Sequence, residues 1–379
     1  MNYQPLHIVI IAFNRPHCLE RLCASLLRVT AFDENQKSID LTISFDGGFD
    51  KESERIAEGF DWKFGSKAVR KHDERLKLDA HLLDCIISSK NHDVTLFLED
   101  DHWIEAGYLQ TISQYVESGS MYAGLSLYSY PLHPETGLPT KHLTNRGSFS
   151  LIQRISSRGL VLSSAQIIEF EAWLNSYDAL NYRNQIPQYL LSYTDSQWET
   201  LYSKYLIQTN QFLAFQAENT VMAFGELGTH FLKRDDRYIP QNYLKYRSVG
   251  AFVPEEKPMK YDAWNELHPV WFTNLKAYDF EVDLNASKNN FQKEYLLTTR
   301  PMKDPILEFG LDLKPIEMNV IRSLSGTGIF FGKTKNVLPF GKFQRLKWRY
   351  VMRMYHLQRH SLSELMYHFI RRVFDRSWR

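Results

Sequence analysis

The chain has 379 residues, and its 45 lysines and arginines balance 44 aspartates and glutamates. That length accommodates one large domain plus a smaller one, and the overall charge argues neither for nucleic acid nor for an acidic partner. Cys18, Cys23 and Cys85 have no CxxC spacing and fall on helix-periodic segments, so buried thiols in a reducing compartment are expected. No apolar run suffices for a signal-peptide core or a spanning helix, which points to a cytosolic protein, soluble or peripherally attached.

In chain order, His7-Ile8-Val9-Ile10-Ile11-Ala12-Phe13 reads as a strand buried on both faces, and Asn14-Arg15-Pro16 as a turn that seats proline near the first helical position. Leu19, Leu22, Cys23, Leu26 and Leu27 then recur at helical spacing, the stripe of a helix packed on a sheet. A second strand, Asp40 to Phe45, closes in Asp46-Gly47-Gly48, and a helical segment follows over Lys51–Gly59. Leu78, Leu82, Cys85 and Ile86 share one face of a third helix, which leads into Val94-Thr95-Leu96-Phe97-Leu98-Glu99-Asp100-Asp101. This alternation predicts an α/β fold around a mostly parallel sheet with right-handed crossovers.

Three adjacent carboxylates repel one another and need water, donors or a cation to compensate them. Glu99-Asp100-Asp101 is thus either a solvated acidic turn or a ligand site at the carboxyl ends of the strands, where open α/β sheets bind their ligands. Asn14 and Arg15 follow the first strand and Asp46 the second, so three strands deliver polar residues to one edge. A nucleotide would suit them: Asp46 can accept from the imide N–H of uracil, Arg15 can pair with phosphate, and the triplet can hold ribose hydroxyls and a divalent metal. No GxGxxG or Walker loop follows the first strand, which disfavours a dinucleotide site. His102 would alternate away from Asp101 along an extended chain, a structural position. Arg75 and Lys77 are candidates to reach phosphate or simply solvated cations.

These ordered pieces, with Ile104-Glu105 and Tyr108-Leu109 after the triplet, resemble the GT-A glycosyltransferases. The similarity is greatest to the inverting family thirteen N-acetylglucosaminyltransferases and looser to the bacterial family two enzymes. The resemblance implies that Glu99-Asp100-Asp101 plays the part of the DxD motif, with Asp101 on Mn2+ or Mg2+. It also implies that Ala12, Asn14, Arg15, Asp46, Glu99 and Asp100 lie along the nucleotide sugar. Downstream, Gly159-Leu160-Val161-Leu162 and the helix through Trp173 resemble the segment lining the donor sugar. Tyr193-Thr194-Asp195-Ser196-Gln197-Trp198 resembles the segment that supplies the catalytic base, although the family sets two acids beside the tryptophan. Asp195 is therefore the candidate base or a helix N-cap, with Asp235 and Asp236 as alternatives. Gly228-Thr229-His230 resembles a serine-histidine loop, and His230 is a metal ligand, a diphosphate donor or an ordinary loop residue.

Past residue 235 prolines interrupt any long helix, and aromatics including Tyr261, Trp264, Trp271 and Phe272 suit either sugar stacking or a core. From Lys333 to Arg379 twelve lysines and arginines face two acids, interleaved with Phe343, Leu346, Trp348, Tyr350 and further apolar residues. Such basic amphipathic helices read as anchors on anionic lipid, as a nucleic-acid patch, or as elements docked on the body. The expected organisation is a GT-A (Rossmann-like) catalytic domain over 1–235, an accessory acceptor-side region over 236–332, and basic amphipathic helices over 333–379. The expected activity is inverting, metal-dependent transfer of a GlcNAc-like sugar from a UDP-linked donor to a glycan or lipid-linked saccharide, at the cytoplasmic membrane face and without nucleic acid. A sugar-nucleotide-binding protein without transfer, and a nucleotidyltransferase, are the alternatives.

Overall fold

In the computed structural model, which describes residues 5–29, 39–119, 122–144, 148–177, 186–191, 197–224 and 257–356, the strand and helix alternation of the first hundred residues forms one half of a nine-stranded sheet. β1 (Leu6–Ala12) is buried at every position, because helices cover both its faces. It lies between β2 (Ile39–Phe45) and β4 (Val94–Glu99), parallel to each, and β3 (Lys67–Lys71) extends the parallel set beyond β2. The crossovers are α1 (Pro16–Leu26), α2 (Lys51–Gly59) and α3 (Leu78–Ser88). Leu19, Leu22, Cys23 and Leu26 of α1 join the core under β1, and each leucine contributes about 1.5–3 kcal/mol on leaving water. All three cysteines are buried thiols outside any disulfide, and burial pushes Cys85 up to about 11 and Cys23 up to about 12.

β5 (His102–Ile104) turns off the end of β4 and pairs with β10 (Val221–Ala223), after which α4 (Tyr108–Glu117) packs back on the sheet. Past β4 the sheet continues through β8 (Leu160–Ser163), β6 (Leu125–Ser126), β9 (Leu213–Gln216), β7 (Phe149–Ile152) and β11 (Lys260–Tyr261). Here antiparallel pairs mix with parallel ones, so the whole is mostly parallel and the expected α/β class holds. α5 (Ser164–Ser176) opens with a capping box between Ser163 and Gln166, α6 (Gln188–Leu191) is a single turn, and α7 (Trp198–Gln208) buries Trp198, Leu201, Tyr202 and Tyr205.

The described residues divide into two compact units, 5–131 with 141–273 and 287–289, and 132–140 with 274–286 and 290–356. The boundary expected at 235 lies outside the described residues, and 333–356 belongs to the second unit. That unit holds a four-stranded sheet in the order β12 (Phe280–Asp283), β13 (Tyr295–Thr298), β15 (Ile329–Lys333), β14 (Leu307–Phe309), with α8 (Glu317–Ile321) between β14 and β15 in the chain. α9 (Lys342–His356) buries Trp348, Met352 and Tyr355, and the Trp348 indole donates to Thr299 Oγ1 at 2.7 Å. Tyr261 and Phe272, which the sequence left open between sugar stacking and core, are core.

Candidate functional site

The register sets the site. Ile11 stands level with Glu99 and Ala12 with Phe45, so β1, β2 and β4 end together and release Phe13–Arg15, Asp46 and Asp100–Asp101 at one edge. Ala12 carries its backbone into this edge by accepting the Asp46 N–H at 3.4 Å, and Ile11 accepts the Asp100 N–H at 3.0 Å. Asn14 turns the chain with φ +49 and accepts the Asp50 N–H at 2.6 Å.

Asp100 is 1 % exposed and Asp101 9 %. The Phe13 N–H donates to Asp100 Oδ2 at 2.9 Å. The Arg15 guanidinium bridges both acids, pairing with Asp100 and reaching Asp101 Oδ2 at 3.0 Å. Compensation of the triplet thus comes, in this state, from the chain's own arginine. Burial pushes the Asp100 carboxyl up to about 7, with Arg15 pulling against it and Asp101 adding to it. Burial alone would loosen the proton on Arg15, but Asp100, Asp101 and Glu99 outweigh it and hold the group charged. Glu99 is partly exposed at the strand end.

The turn at Asp100–Asp101 breaks the extended path, so His102 faces Asp101, where strict alternation would have sent it away. The Glu99 N–H donates to His102 Nδ1 at 3.0 Å, which leaves the proton of the neutral ring on Nε2, 4.0 Å from Asp101 Oδ1. Burial lowers this histidine and keeps it neutral.

Asp46 closes the same edge from the end of β2. Its carboxylate accepts the N–H groups of Gly47, Leu76 and Lys77 at 2.9, 2.6 and 2.9 Å, tying the loop before α3 to the end of β2. Gly47 permits that closeness, because a methyl there would overlap the Glu74 carbonyl and stand 2.6 Å from the Arg75 nitrogen. The loop brings Arg75 over the Phe13 ring at 4.2 Å, and so to the same edge.

Two arginines and an acid escaped the sequence reading. The β4–β8 pairing ends at Phe97 with Leu160, and Arg158, two residues before β8, lies close enough to Glu99 and Asp101 for their charges to act on it. Burial opposes the Arg158 charge, but Tyr128, Tyr130, Glu99 and Asp101 outweigh it and hold the group protonated. Gly159 supplies the bend with φ +66, in a space where a Cβ would meet Val221 and Leu127 at 2.7 and 2.9 Å. Arg154 lies on the same connection. Glu199, half-buried in the first turn of α7, accepts the Ser157 N–H of that loop at 3.4 Å. Its place directly after Trp198 was the available signal, an acid beside the tryptophan. Asp195, His230, Asp235 and Asp236 lie outside the described residues.

Among the described residues no three His, Cys, Asp or Glu side chains are grouped to hold a metal ion by themselves. A single carboxylate such as Asp101, whose Oδ2 lies 3.0 Å from Arg15, would hold a divalent ion only where phosphate oxygens and water supply the other ligands.

No family model and no curated protein matches the chain. Among solved structures it is similar to S. aureus TarS 1-349, at 12 % identity and a TM-score of 0.41 over 59 % of this chain and 61 % of that one. For TarS 1-349 in complex with UDP-GlcNAc the values are 10 %, 0.41, 61 % and 62 %, and for a longer TarS structure 11 %, 0.39, 58 % and 36 %. The chain thus matches about six tenths of the TarS 1-349 length.

Proposed function

We propose that this chain is an inverting, metal-dependent glycosyltransferase that takes a GlcNAc-like sugar from a UDP-linked donor to a glycan or lipid-linked saccharide. The observation that carries the reading is the shared edge, where the register of β1 with β2 and β4 gathers the Phe13–Arg15 turn, the Asp46 loop and the Glu99–Asp101 turn. Asp101 would hold Mn2+ or Mg2+ together with the donor diphosphate, and the ion would supply neutralisation of charge on the leaving group. Arg15 is the chain's own cation at that edge, and its planar fork is suited to exchange a carboxylate for phosphate oxygens. Glu99 and Asp100 border the ribose and the sugar. Ala12 and Asn14 shape the turn beneath the nucleotide, and Asp46 orders the loop that brings Arg75 to it.

Inversion by a single displacement needs a base that takes the proton of the attacking hydroxyl. Asp195 and Glu199 are the two candidates, with Glu199 supported by its bond to the loop that carries Arg158. His230 is kept as a donor to the diphosphate. Residues 334–356 hold six lysines and arginines and no acid, and Phe343, Leu346 and Tyr350 are exposed on α9. That face supports peripheral attachment to an anionic membrane surface, on the cytoplasmic side. No helix among the described residues is long and apolar enough to cross a membrane.

The test is UDP release from a panel of UDP-sugars with Mn2+, in the unmodified chain and in Asp101→Ala. Release that depends on both the ion and Asp101 supports the reading. Pyrophosphate release would transfer it to nucleotidyl chemistry, and donor binding without turnover on any acceptor would leave a binding protein.

A further inference from the structure

Arg154 and Arg158, on the connection between β7 and β8, have no part in the chemistry above. The Arg154 guanidinium lies 3.7 Å from the centre of the Tyr130 ring and 5.4 Å from that of Tyr189. Arg158 lies 4.7 Å from the Tyr128 ring and 5.9 Å from Tyr130. One tyrosine is therefore shared by two cations. Elsewhere in this unit partly buried cations have carboxylates or carbonyls: Arg15 has Asp100 and Asp101, Arg70 has Asp84, Lys90 has Glu171, Lys288 has Asp262, and Lys67 has the carbonyls of Ala57, Glu58 and Phe60. Neither Arg154 nor Arg158 pairs with any carboxylate among the described residues.

The tyrosines do not neutralise them. Burial pushes Tyr130 up to about 12, with Glu199 adding to the shift, so the ring is a neutral platform. Among the described residues the nearby acids do not contact them either. Glu99 and Asp101 act on Arg158 through space, and Glu199 accepts from the Ser157 backbone. Keeping two like charges beside one ring costs free energy that a bound anion would return. A guanidinium over a ring keeps its N–H donors, and such a fork can take an oxyanion with paired hydrogen bonds.

The position indicates which anion. Arg15 already serves the acid edge where the donor diphosphate would lie, whereas Arg154 is farther along the loop, over Tyr130 and Tyr189. Glu199 accepts the Ser157 N–H at 3.4 Å, on the stretch of loop between the two arginines. A hydroxyl delivered to Glu199 would thus arrive beside the arginine pair. We propose that Arg154 and Arg158 form a subsite for an oxyanion, phosphate or carboxylate, carried by the acceptor saccharide. This rests on the transferase reading only in naming the acceptor; the anion site itself can be measured with no donor present.

The experiment titrates inorganic phosphate, glucuronate and neutral glucose into the full chain, followed by thermal shift and by the near-ultraviolet tyrosine signal. UDP is titrated in parallel. At least one oxyanion should raise the melting temperature and perturb the tyrosines, with no response to glucose. Arg154→Gln should weaken that oxyanion by about tenfold, the loss of one charged hydrogen-bonding partner, and leave UDP affinity unchanged. Arg154→Lys keeps the charge but not the fork, and should fall between the two. Response to phosphate alone assigns a phosphate-bearing acceptor, and response to glucuronate alone a uronate-like one. If Arg154→Gln does not fold, the tyrosine response of the unmodified chain decides. Silence towards both oxyanions overturns the proposal, as does an equal loss of UDP and phosphate affinity in Arg154→Gln, which would put the pair on the donor diphosphate. Oxyanion binding without any UDP release would instead retire the transferase reading and keep the subsite.

Discussion

Gly47 and Gly48 are adjacent, yet the structure requires glycine at each for a different reason, and a pair of alanine variants separates the two. At Gly47 the obstacle is space: a methyl would overlap the Glu74 carbonyl, which is backbone and cannot rotate aside. Relief requires moving the loop that donates the Leu76 and Lys77 N–H groups to Asp46. Overpacking of this kind costs about 1–3 kcal/mol, and each hydrogen bond to a carboxylate contributes about 1.5–3 kcal/mol. Partial loss of both effects gives Gly47→Ala a cost of about 3 kcal/mol. At Gly48 a Cβ meets nothing within 4 Å, but φ is +78, so Gly48→Ala should cost only about 1–2 kcal/mol. Urea unfolding of both variants, with unchanged slopes as the check on comparability, measures the difference. Because the Asp46 loop also carries Arg75 over Phe13, Gly47→Ala should weaken UDP binding while Gly48→Ala should not. Equal destabilisation by the two, or a Gly47→Ala protein with native UDP affinity, would refute the view that Asp46 and this loop form a wall of the site.

Further outcomes test other parts of the molecule. Glu199→Gln should lower turnover by roughly 10²–10⁴-fold with UDP affinity retained if Glu199 is the base; if only Asp195→Asn does so, the base is Asp195. Burial pushes the Glu317 carboxyl up to about 7, and its Oε2 has no hydrogen-bond partner. The folded state then keeps a proton that the unfolded chain releases near 4.5, so stability should fall by about 3 kcal/mol as pH rises from 4.5 to 7 and level off above. Glu317→Gln should remove that slope in melts recorded across this range; parallel curves would contradict it. Trp348→Ala should cost about 3–5 kcal/mol in the second unit, whereas Phe343→Ala, at a side chain 77 % exposed, should be nearly silent. The double variant Phe343→Glu, Leu346→Glu should lose co-sedimentation with anionic vesicles and keep its melting temperature, and undiminished binding would remove α9 from the membrane reading.

The elements easiest to anticipate were those whose burial is uniform. β1 and β4 are enclosed on both faces, so their composition announces them, and α1 shows its core stripe at helical spacing. β3 was not anticipated, because an edge strand can carry Lys67, Arg70 and Lys71 and so lacks an apolar signature. The four-stranded sheet of the second unit was hidden as well. Its strands are three to five residues long, below the length at which a period declares itself.

For the site, local sequence determined which residues leave the ends of β1, β2 and β4, since strand length and turn chemistry are short-range properties. It could not determine what those residues face. Arg15 turning onto Asp100 and Asp101, Asp46 holding the Leu76–Lys77 backbone, and Arg158 brought within reach of the Glu99 charge all depend on pairings between segments 30 to 90 residues apart. Such pairings follow from strand register and from the exclusion of water around buried charge. Neither is written in any single stretch of the chain, because both arise only when the sheet closes.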